Sequence, residues 1–405
     1  MGYNHSMLGG KYEPLDMMVL ATAVQVPTYV YDHVLFDGRL DVDRLIDAVA
    51  KVATVVPETL YRLDARRMKF KDMGFTARDV VTEIQQRVDT GFVWDLTRGT
   101  QVKILVGHGP DSDSMIVAMD HVLGDGMSMV QYMTLLAAAY NGEWTDIRNN
   151  RSSSMIVAAS DFGPATPSEV RSFQLPIMSL PLPDTGKDLF ARHITLPAST
   201  MDALHEKAHS CSATLDDLFV TACARVACRM MDVPALAVRC PVDLRHYADP
   251  GPLSIANMTG LYRMTVDVAP GDRFGTTLEQ VHQEKAIQRE RHRFFFNIPN
   301  LAKMARRLPT SWVKSGLRKI YSSQPIALSN FGIIPSLGFG DANMTLSYTA
   351  GAYRAHPDFD LSVSSFAGTT TFVTTLIGDE KRADACEDVI RAIISELENW
   401  LAGQN

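Results

Sequence analysis

The sequence predicts an α/β (α+β) protein with two halves, each of which combines helices with a mixed, mainly hairpin-connected sheet. Amphipathic helical segments and short apolar runs of strand length occur in both halves of the chain. Residues 146–190 lack this periodicity and contain RNNRSSS followed by five prolines. Such a stretch is typical of a connection. We therefore expect a first lobe at residues 1–165 and a second lobe at 166–405, with the crossing linker at about 146–190.

The first half contains a clear helix, a clear hairpin and a second helix. Apolar side chains repeat at helical spacing behind Asp41, which is a good N-cap residue. The runs QVKILVG (101–107) and SMIVAMD (114–120) are joined by the turn formers HGPDSD. This pattern predicts two antiparallel strands. Another helical repeat follows the second strand and stops at Asn141-Gly142.

The second half predicts a longer series of helices and strands. Thr214 precedes Asp217 by three residues, which is the spacing of a capping box, so a helix begins there. Other helices are predicted from Ser199, over about 275–293 and at the end of the chain, where an apolar side runs over 389–401. The predicted strands lie at 193–196, 235–242, 262–268, 324–333, 343–350, 360–366 and 370–378.

The composition favours a small-molecule or protein partner over nucleic acid. The chain has 405 residues, of which 46% are hydrophobic and 21% charged, with a formal net charge of -7. Lysine and arginine are spread along the sequence, so we expect no basic surface for nucleic acid or for an anionic membrane. No apolar stretch reaches the length of roughly 18 residues that a membrane span needs.

The cysteines and the N-terminus indicate a cytoplasmic protein. The five cysteines are odd in number, have no CxxC spacing and mostly fall in apolar segments, so we expect reduced core residues. The N-terminus lacks the basic start and apolar run of a secretory signal. The opening MGYNHS does fit a short N-myristoylation pattern through Gly2 and Ser6, which leaves a lipid anchor as an alternative.

The string MDHVLGDGMSM (119–129) carries the strongest chemical signal in the chain. His121 follows a predicted strand, Gly124 and Gly126 disfavour a helical path, and a helix begins just afterwards. The backbone must therefore turn sharply, with the histidine at the rim. A loop edge held by rigid elements is where a general base can meet a substrate. A histidine satisfied by neighbouring backbone groups is equally compatible with the string alone.

The segment HEKAH (205–209) offers a competing metal site. It matches HExxH, which places two imidazoles on one helical face as zinc ligands, with Glu206 as the base. However, Leu215 stands six positions after the second histidine, where a third ligand is needed. We therefore expect no metal, with both histidines on a solvated helical face.

Two further patterns bear on the choice of function. The basic segment LAKMARRLPTSWVKSGLRK (301–319) indicates a solvated helical face, with a phosphate-bearing ligand or an acidic carrier protein as the alternative. The serine-hydrolase motif GxSxG and the Walker motif GxxxxGK[ST] are both absent from the sequence. Neither a hydrolase nucleophile elbow nor a nucleotide-binding P-loop is therefore expected.

With HVLGDG (121–126) in place, the sequence resembles the chloramphenicol-acetyltransferase-like superfamily. This group includes peptide-synthetase condensation domains, polyketide-associated acyltransferases, wax ester synthases and plant-type alcohol acyltransferases, which share HHxxxDG or HxxxD. Other segments look like those of the family and follow in the same order over nearly the whole chain: EPLD (13–16), DGRLDVDRLIDAV (37–49), SATLDDLFVTACARV (212–226), CPVDLR (240–245), LSNFG (328–332) and LSVSSFAG (361–368).

The resemblance implies two pseudo-symmetric lobes, each a mixed sheet with helices, and an active-site tunnel between them that is open at both ends. It also implies roles for the motif residues. His121 stands at the centre of the tunnel as the general base. Asp125 is chiefly structural and pairs with an arginine, for which Arg245 is the first candidate and Arg62 the second. Gly126 lets the backbone approach the reacting carbonyl.

Two more residues are expected to bind substrate by the same resemblance, and two features depart from the family. Ser329 and Asn330, in LSNFG, correspond to positions that often line the tunnel. Asp120 replaces the first histidine of HHxxxDG, which weakens the case for peptide-bond formation. The DFGWG signature of the plant-type enzymes is absent, and HPDFDLSV (356–363) is only a faint echo of it, so that subgroup is excluded.

The sequence thus predicts an acyltransferase of the HxxxDG type. It would move an acyl group from a thioester of coenzyme A or of a phosphopantetheinyl carrier to an alcohol, giving an ester. No tightly bound cofactor is expected, and an acyl carrier protein would act in trans. The alternatives are an amide-forming enzyme with an amine acceptor and a non-catalytic binding relative.

Overall fold

The architecture consists of two mixed sheets with helices packed against them. The computed structural model describes residues 13–17, 19, 28–64, 69–88, 98–176, 178–308, 312–313, 326–356 and 358–404. Within these ranges, each main sheet has six strands and a separate small sheet has two. The predicted class, two sheet-and-helix lobes of an α/β protein, is therefore confirmed.

Fourteen strands can be named in the described ranges, and they build these sheets. The spatial order is β11-β12-β1-β6-β5-β4 in the first sheet and β7-β14-β13-β10-β8-β9 in the second. The strands are β1 (Tyr29–Phe36), β2 (Arg62–Asp64), β3 (Lys69–Lys71), β4 (Val81–Ile84), β5 (Val102–His108), β6 (Asp113–Asp120), β7 (Asp188–Leu196), β8 (Ala235–Asp243), β9 (Thr259–Asp267), β10 (Ile326–Ile333), β11 (Gly338–Phe339), β12 (Ala342–Ala350), β13 (Phe359–Phe366) and β14 (Thr369–Gly378).

The helices follow the caps and apolar patterns of the sequence. Short 3₁₀ turns lie at Pro57–Leu60 and Arg293–Phe295. The α-helices of the described residues are α1 (Val42–Ala53), α2 (Ala77–Val80), α3 (Gly126–Tyr140), α4 (Ser154–Ala159), α5 (Pro167–Ser172), α6 (Ala198–Ser210), α7 (Leu215–Met231), α8 (Arg245–Ala248), α9 (Phe274–Glu290), α10 (Ile298–Arg307) and α11 (Glu380–Leu401).

Local side-chain caps explain where the main helices begin. Asp41 accepts a hydrogen bond from the backbone N–H of Arg44 at the start of α1. Thr214 and Asp217 form the predicted capping box at the start of α7. Each cap satisfies backbone donors that a helix leaves unpaired in its first turn. The predicted starts of these two helices are therefore confirmed.

Strand β6 is the central element of the first lobe. It pairs antiparallel with β1 on one side and with β5 on the other, and every one of its residues is buried. The hairpin predicted from the runs at 101–107 and 114–120 is therefore confirmed. Because β6 is held on both edges and both faces, the position at which it ends is fixed, and His121 is the first residue beyond it.

Separate apolar cores lie against the two sheets, and a third cluster joins them. The first-lobe core includes residues of α1 and α3, and the second-lobe core includes residues of α7 and α11. In the third cluster, Tyr29 and Tyr31 of the first sheet pack with Tyr353 and with Val373 of the second sheet. The rings of Tyr29 and Tyr353 meet edge to face at 5.4 Å. The two lobes are therefore held together through a shared aromatic core.

The chain does not divide between the lobes at one point. Strand β12 pairs antiparallel with β1, so residues 342–350 of the predicted second lobe complete the first sheet. The first sheet thus draws on residues from both sides of the predicted boundary at residue 165. A hydrophobic strand pattern predicts a strand but not its neighbour, because pairing partners distant in sequence leave no local signal.

The crossing linker contains more regular structure than its sequence predicts. Helices α4 and α5 both lie within 146–190, and β7 already begins at Asp188. Pro167 occupies the first turn of α5, where its missing N–H costs no hydrogen bond, so this proline begins a helix and does not break one.

Most of the cysteines lie in the core. Cys223, Cys228, Cys240 and Cys386 are buried free thiols, as predicted, whereas Cys211 is exposed. The N-myristoylation pattern at residues 2–6 lies outside the described residues. Among the described residues, no helix is long and apolar enough to cross a membrane.

Candidate active site

The loop of residues 121–125 carries His121 from the end of β6 to the start of α3. The backbone N–H of His121 donates to the carbonyl of Thr28 at 2.9 Å, which fixes the first residue of the loop. At Gly124, an added Cβ would lie 2.5 Å from the Cβ of Ser128, so only glycine allows the loop this close to α3. The sharp turn predicted from the glycines is present.

His121 lines a cavity of about 190 Å³ between the two lobes. The half-buried imidazole forms part of the first-lobe side of this cavity. The side walls combine apolar groups with polar and charged ones. The other residues on the walls are Leu15, Val19, Thr28, Arg239, Pro241, Asn257, Thr259, Leu261, Ala327, Ser329, Ala352, Arg354, Asp358 and Asp360.

Asn257 determines which ring nitrogen of His121 carries the proton. The Nδ2 group of Asn257 faces three oxygen atoms: Asp16 Oδ1 at 2.8 Å, the His121 carbonyl at 2.8 Å and the Val122 carbonyl at 3.3 Å. Its Oδ1 atom therefore faces His121 Nδ1, at 3.2 Å. An amide oxygen can only accept, so Nδ1 must donate. In the neutral ring, this leaves Nε2 with its lone pair.

The orientation of Asn257 is itself fixed by a buried ion pair. Asp16 is fully buried and accepts from Asn257 through one oxygen and from Arg151 through the other, at 3.1 Å. Arg151 also donates to the carbonyls of Leu123 and Ile255, at 2.5 and 3.0 Å. This chain of contacts leads from Arg151 to His121 and holds the imidazole on its Nδ1 side.

Burial keeps the ring of His121 neutral. Desolvation lowers the pKa of His121 below its usual value, because an imidazolium loses more hydration than an imidazole. A hydrogen bond with the backbone of His121, the charge of Asp125 and the hydrogen bond with Asn257 oppose this shift in part, while the charge of Arg354, on the same cavity, adds to it. Within the described residues, no hydrogen-bond partner is found for Nε2. The ring therefore presents an unprotonated nitrogen at neutral pH.

Asp125 and Arg245 form a buried ion pair between the lobes. The two guanidinium nitrogens of Arg245 donate to the two carboxylate oxygens of Asp125, at 3.1 and 3.0 Å. Only 4% of the Asp125 side chain and 8% of the Arg245 side chain are exposed. Burial alone would raise the pKa of Asp125, but the charge of Arg245 and the hydrogen bonds lower it to about 2. Asp125 is thus a permanent anion.

The remaining partners of Asp125 come from two segments of the chain, the start of α3 and residues 258–259. Ser128 donates to Oδ1 through its N–H and its hydroxyl, both at 3.0 Å, so Asp125 is also the N-cap of α3. Met258 N–H and the Thr259 hydroxyl donate to Oδ2, at 2.8 and 2.9 Å. Within the described residues, Asp125 makes no hydrogen bond to the imidazole of His121. The carboxylate therefore holds the loop and not the base.

Of the two predicted arginines, the structure brings Arg245 to Asp125. Arg245 lies at the start of α8, directly after β8, and also donates to Asp243, Ser254 and the carbonyl of Ala256. Arg62 lies instead on strand β2 of the small two-stranded sheet. Arg245, the first candidate, is therefore the arginine that pairs with Asp125, and Arg62 is not.

Gly126 is covered by an aromatic ring. A Cβ added at Gly126 would lie 2.1 Å from Cε1 and 2.3 Å from Cδ1 of Phe331, which belongs to β10 of the second lobe. An alanine at this position would require the ring of Phe331 to shift, and this ring covers the backbone that was expected to approach the reacting carbonyl. Nothing in the local sequence around Gly126 signals this contact, which spans the two lobes.

Ser329 and Asn330 lie on opposite sides of β10. Ser329 lines the cavity with His121. Asn330 is exposed, donates from Nδ2 to Asp216 at 3.1 Å and accepts from Gly332 N–H at 2.9 Å. Neighbouring residues on a strand point to opposite faces. Ser329 is therefore the one of this pair that can reach a ligand in the cavity.

Asp120, which replaces the first histidine of the family motif, shapes the loop from the inside. It is fully buried and accepts from the Thr28 hydroxyl at 3.0 Å and from the N–H of Val122 at 3.1 Å. Burial raises the pKa of Asp120 to about 7. A carboxyl group at this position thus supports the turn after β6 through short-range hydrogen bonds.

Charged residues also line this cavity, and no pattern in the sequence predicts them there. Arg354 donates through Nε to Asp360, and Asp358 and Arg239 line the same cavity. Burial raises the pKa of Asp358, and the nearby charge of Asp360 adds to this effect. These residues come from β8, β13 and the segment before β13, so only the tertiary fold brings them together.

Neither the HEKAH segment nor the described part of the basic segment contributes a residue to the walls of this cavity. His205 and His209 are exposed on α6. In the described part of the chain, no group of three or more histidine, cysteine, aspartate or glutamate residues is placed to hold a metal ion. Of the basic segment 301–319, residues 301–308 and 312–313 are described, and Lys303 and Arg307 are exposed there.

The fold was compared with known proteins. No family model matches the chain, and no curated protein does. Solved structures do. The first condensation domain of the calcium-dependent antibiotic synthetase in complex with substrate analogue 3a superposes with a TM-score of 0.69 at 15% identity, covering 98% of this chain and 97% of that one. Polyketide synthase associated protein 5 from Mycobacterium tuberculosis gives 0.67 at 13% identity, with coverage of 98% and 100%.

The chain has the condensation-domain fold. The epimerization domain from the third module of tyrocidine synthetase B also superposes, with a TM-score of 0.60 at 12% identity and coverage of 99% and 100%. These structures all share the chloramphenicol-acetyltransferase-like architecture, so the resemblance predicted from the sequence is confirmed at the level of fold. At 12 to 15% identity, these structures establish the fold of this chain and not its activity.

The ion pair of this condensation-like fold can be tested by removing one partner. Arg245→Met leaves the Asp125 carboxylate buried without its counter-charge, so we expect a loss of about 3 to 5 kcal/mol in the free energy of unfolding. Arg78→Met breaks the exposed pair with Asp43 and should cost less than about 1 kcal/mol. Denaturant titration measures both. Equal effects of the two substitutions would contradict the account.

The contact between Gly126 and Phe331 predicts a coupled pair of substitutions. Gly126→Ala should destabilise the protein by about 1 to 3 kcal/mol, because its Cβ overlaps the ring. The same change in a Phe331→Ala background should cost nothing. Gly275→Ala, in α9, is the matched control, since an added Cβ meets no atom there. A Gly126→Ala cost that is the same with and without the Phe331 ring would refute the contact.

Proposed function

We propose that this chain is an acyltransferase that moves an acyl group from a thioester of coenzyme A or of a phosphopantetheinyl carrier to an alcohol. An amine is the close alternative as acceptor. The observation that carries the proposal is the place of His121 on the cavity between the lobes, with Nδ1 bonded to Asn257 and a pKa that burial lowers. The condensation-domain fold is consistent with a carrier-bound donor, since the similar domains belong to peptide synthetases.

The reaction follows from the properties of the His121 ring. Nε2 takes the proton of the acceptor hydroxyl as its oxygen attacks the thioester carbonyl carbon. The tetrahedral intermediate collapses, the C–S bond breaks, and the proton on Nε2 passes to the leaving sulfur. The ester and the free thiol leave, and the imidazole returns to its neutral form. All atoms and protons of this acyl transfer are thereby accounted for without a metal or a redox partner.

The residues around His121 position it, set its tautomer and contact the substrate. Asp125 and Arg245 are positioning residues that set the loop, and Asn257 sets the tautomer. Ser329, on the cavity wall, is the candidate contact for the substrate in place of Asn330. Arg354 supplies positive potential near the carbonyl oxygen, where negative charge develops during the attack. The remainder of the rate enhancement comes from holding both substrates in line.

Removal of the base is the first test. His121→Ala should lower kcat/KM for acyl transfer by about 10²- to 10⁴-fold, the usual contribution of a positioned general base. The assay follows free thiol release from a panel of acyl thioesters, with and without alcohols and amines. His205→Ala, on the exposed face of α6, should leave the rate unchanged. A rate that falls with His205→Ala and not with His121→Ala would favour the zinc alternative.

The pH profile gives a second test. The pKa of His121 is lowered by burial, and only the neutral ring acts as a base, so the acid limb of kcat/KM should be centred below pH 6.5. Below the pKa of the folded enzyme, kcat/KM should fall about tenfold per pH unit. Asp120, with a pKa of about 7, could titrate nearby, so Asp120→Asn serves as the control. An acid limb centred above pH 6.5 that persists in this variant would contradict the proposal.

A further inference from the structure

A second cavity lies beside the first and shares a wall with it. Its volume is about 150 Å³, and Thr259 and Leu261 of β9 line both cavities. These two residues are two positions apart on a strand and so project from the same face. Thr259 is also a hydrogen-bond donor to Asp125. The second cavity is therefore adjacent to the space in front of His121.

The inner walls of this second cavity are apolar. Phe294 is 1% exposed, Ile298 4% and Leu301 6%. Phe173, Phe296 and Met304 complete the apolar lining. The rings of Phe173 and Phe296 lie 6.2 Å apart in an edge-to-face arrangement. These aromatic surfaces remain 50% and 37% exposed, so an apolar ligand would cover surface that the chain itself leaves in water.

The buried charges in these walls are already neutralised. Arg293 donates through two nitrogens to the two carboxylate oxygens of Glu169, at 2.7 and 2.6 Å, and both side chains are buried. The Arg293 guanidinium also lies 4.7 Å from the ring centre of Phe296. The other polar residues on the walls, Arg263, Asn297 and Asn300, are half-buried or exposed. The inner end of the cavity therefore offers no unpaired charge to a ligand.

The two cavities differ in the chemistry they can accept. The first has Arg239, Arg354, Asp358 and Asp360 on its walls, which suits a polar acceptor. The second suits a hydrocarbon. A cavity of about 150 Å³ with apolar walls holds a group of benzene size, or roughly six carbon atoms.

We infer that the second cavity binds the hydrocarbon part of the transferred acyl group, with a capacity of roughly six carbons. This inference rests on the proposed acyl transfer and names its substrate class: a medium-chain or aryl acyl thioester. The acyl carbonyl lies before His121, and the chain passes Leu261 into the second cavity. Met304 and Phe296 set the length that fits.

The test is the dependence of kcat/KM on acyl length, from acetyl to decanoyl thioesters. In the unmodified chain, kcat/KM should rise about fourfold per methylene, the usual effect of burying one, and stop rising at roughly six carbons. Met304→Trp fills the cavity and should move this limit to a shorter acyl group. Phe296→Ala enlarges it and should move the limit to a longer one. Met230→Trp, on the exposed end of α7, is the matched control and should change nothing.

Two results would overturn the assignment. One is an acyl-length profile that is the same in Met304→Trp, Phe296→Ala and the unmodified chain. The other is a length limit that changes between the variants for a series of alkyl alcohols, while the dependence of kcat/KM on acyl length stays the same. That result would assign the cavity to the acceptor. Thermal melting of each variant confirms that it is folded before its profile is compared.

A binding measurement separates this inference from the proposed function. S-hexyl-pantetheine is a thioether, so it can occupy the cavity but cannot transfer its alkyl group. Calorimetry should show that His121→Ala still binds it, while Met304→Trp binds it at least tenfold more weakly than Met230→Trp. This result supports the cavity even if no acceptor is acylated. Equal binding by the two tryptophan variants overturns the cavity, whatever the activity.

Discussion

The structure depends on the buried ion pair between Asp125 and Arg245. A carboxylate this deeply buried is stable as an anion only when it is paired and its oxygens are bonded. Asp125 meets this requirement with donors from the start of α3, from α8 and from the start of β9. The side chain of Asp125 thus connects the loop of the first lobe to α8 and β9 of the second. The position of His121 between the lobes is a consequence of this constraint.

The chemistry of His121 then follows from a second set of contacts that does not involve Asp125. Arg151, Asp16 and Asn257 form a buried chain that ends on Nδ1 of the imidazole. Its effect is to assign the proton to Nδ1, because the amide of Asn257 cannot be turned without losing its three acceptors. Burial removes the second proton by lowering the pKa. Asp125 and Arg245 thus hold the loop, while Asn257 and burial set the protonation of the ring, with the charge of Asp125 opposing the effect of burial in part.

Local rules predicted much of the fold and the outline of the site. The end of β6 and the turn at Gly124 follow from side-chain periodicity and from the glycines within a few residues. The contact of Asn257 with His121 could not be predicted, because the two residues lie 136 positions apart and a single asparagine in a loop forms no recognisable motif. The placement of β12 in the first sheet and the ring of Phe331 over Gly126 were missed for the same reason. Each is a contact between segments that are far apart in the sequence, which periodicity along one segment cannot reveal.

The most direct test of the account is the tautomer of His121 at neutral pH. In ¹⁵N-histidine-labelled protein, the His121 resonances can be assigned by their loss in His121→Gln. The account predicts a protonated Nδ1 and an unprotonated Nε2 at pH 7, and an Asn257→Ala variant in which this preference is weakened. A ring protonated on Nε2, or on both nitrogens, would contradict it, because the nitrogen on the cavity would then have no lone pair to accept a proton.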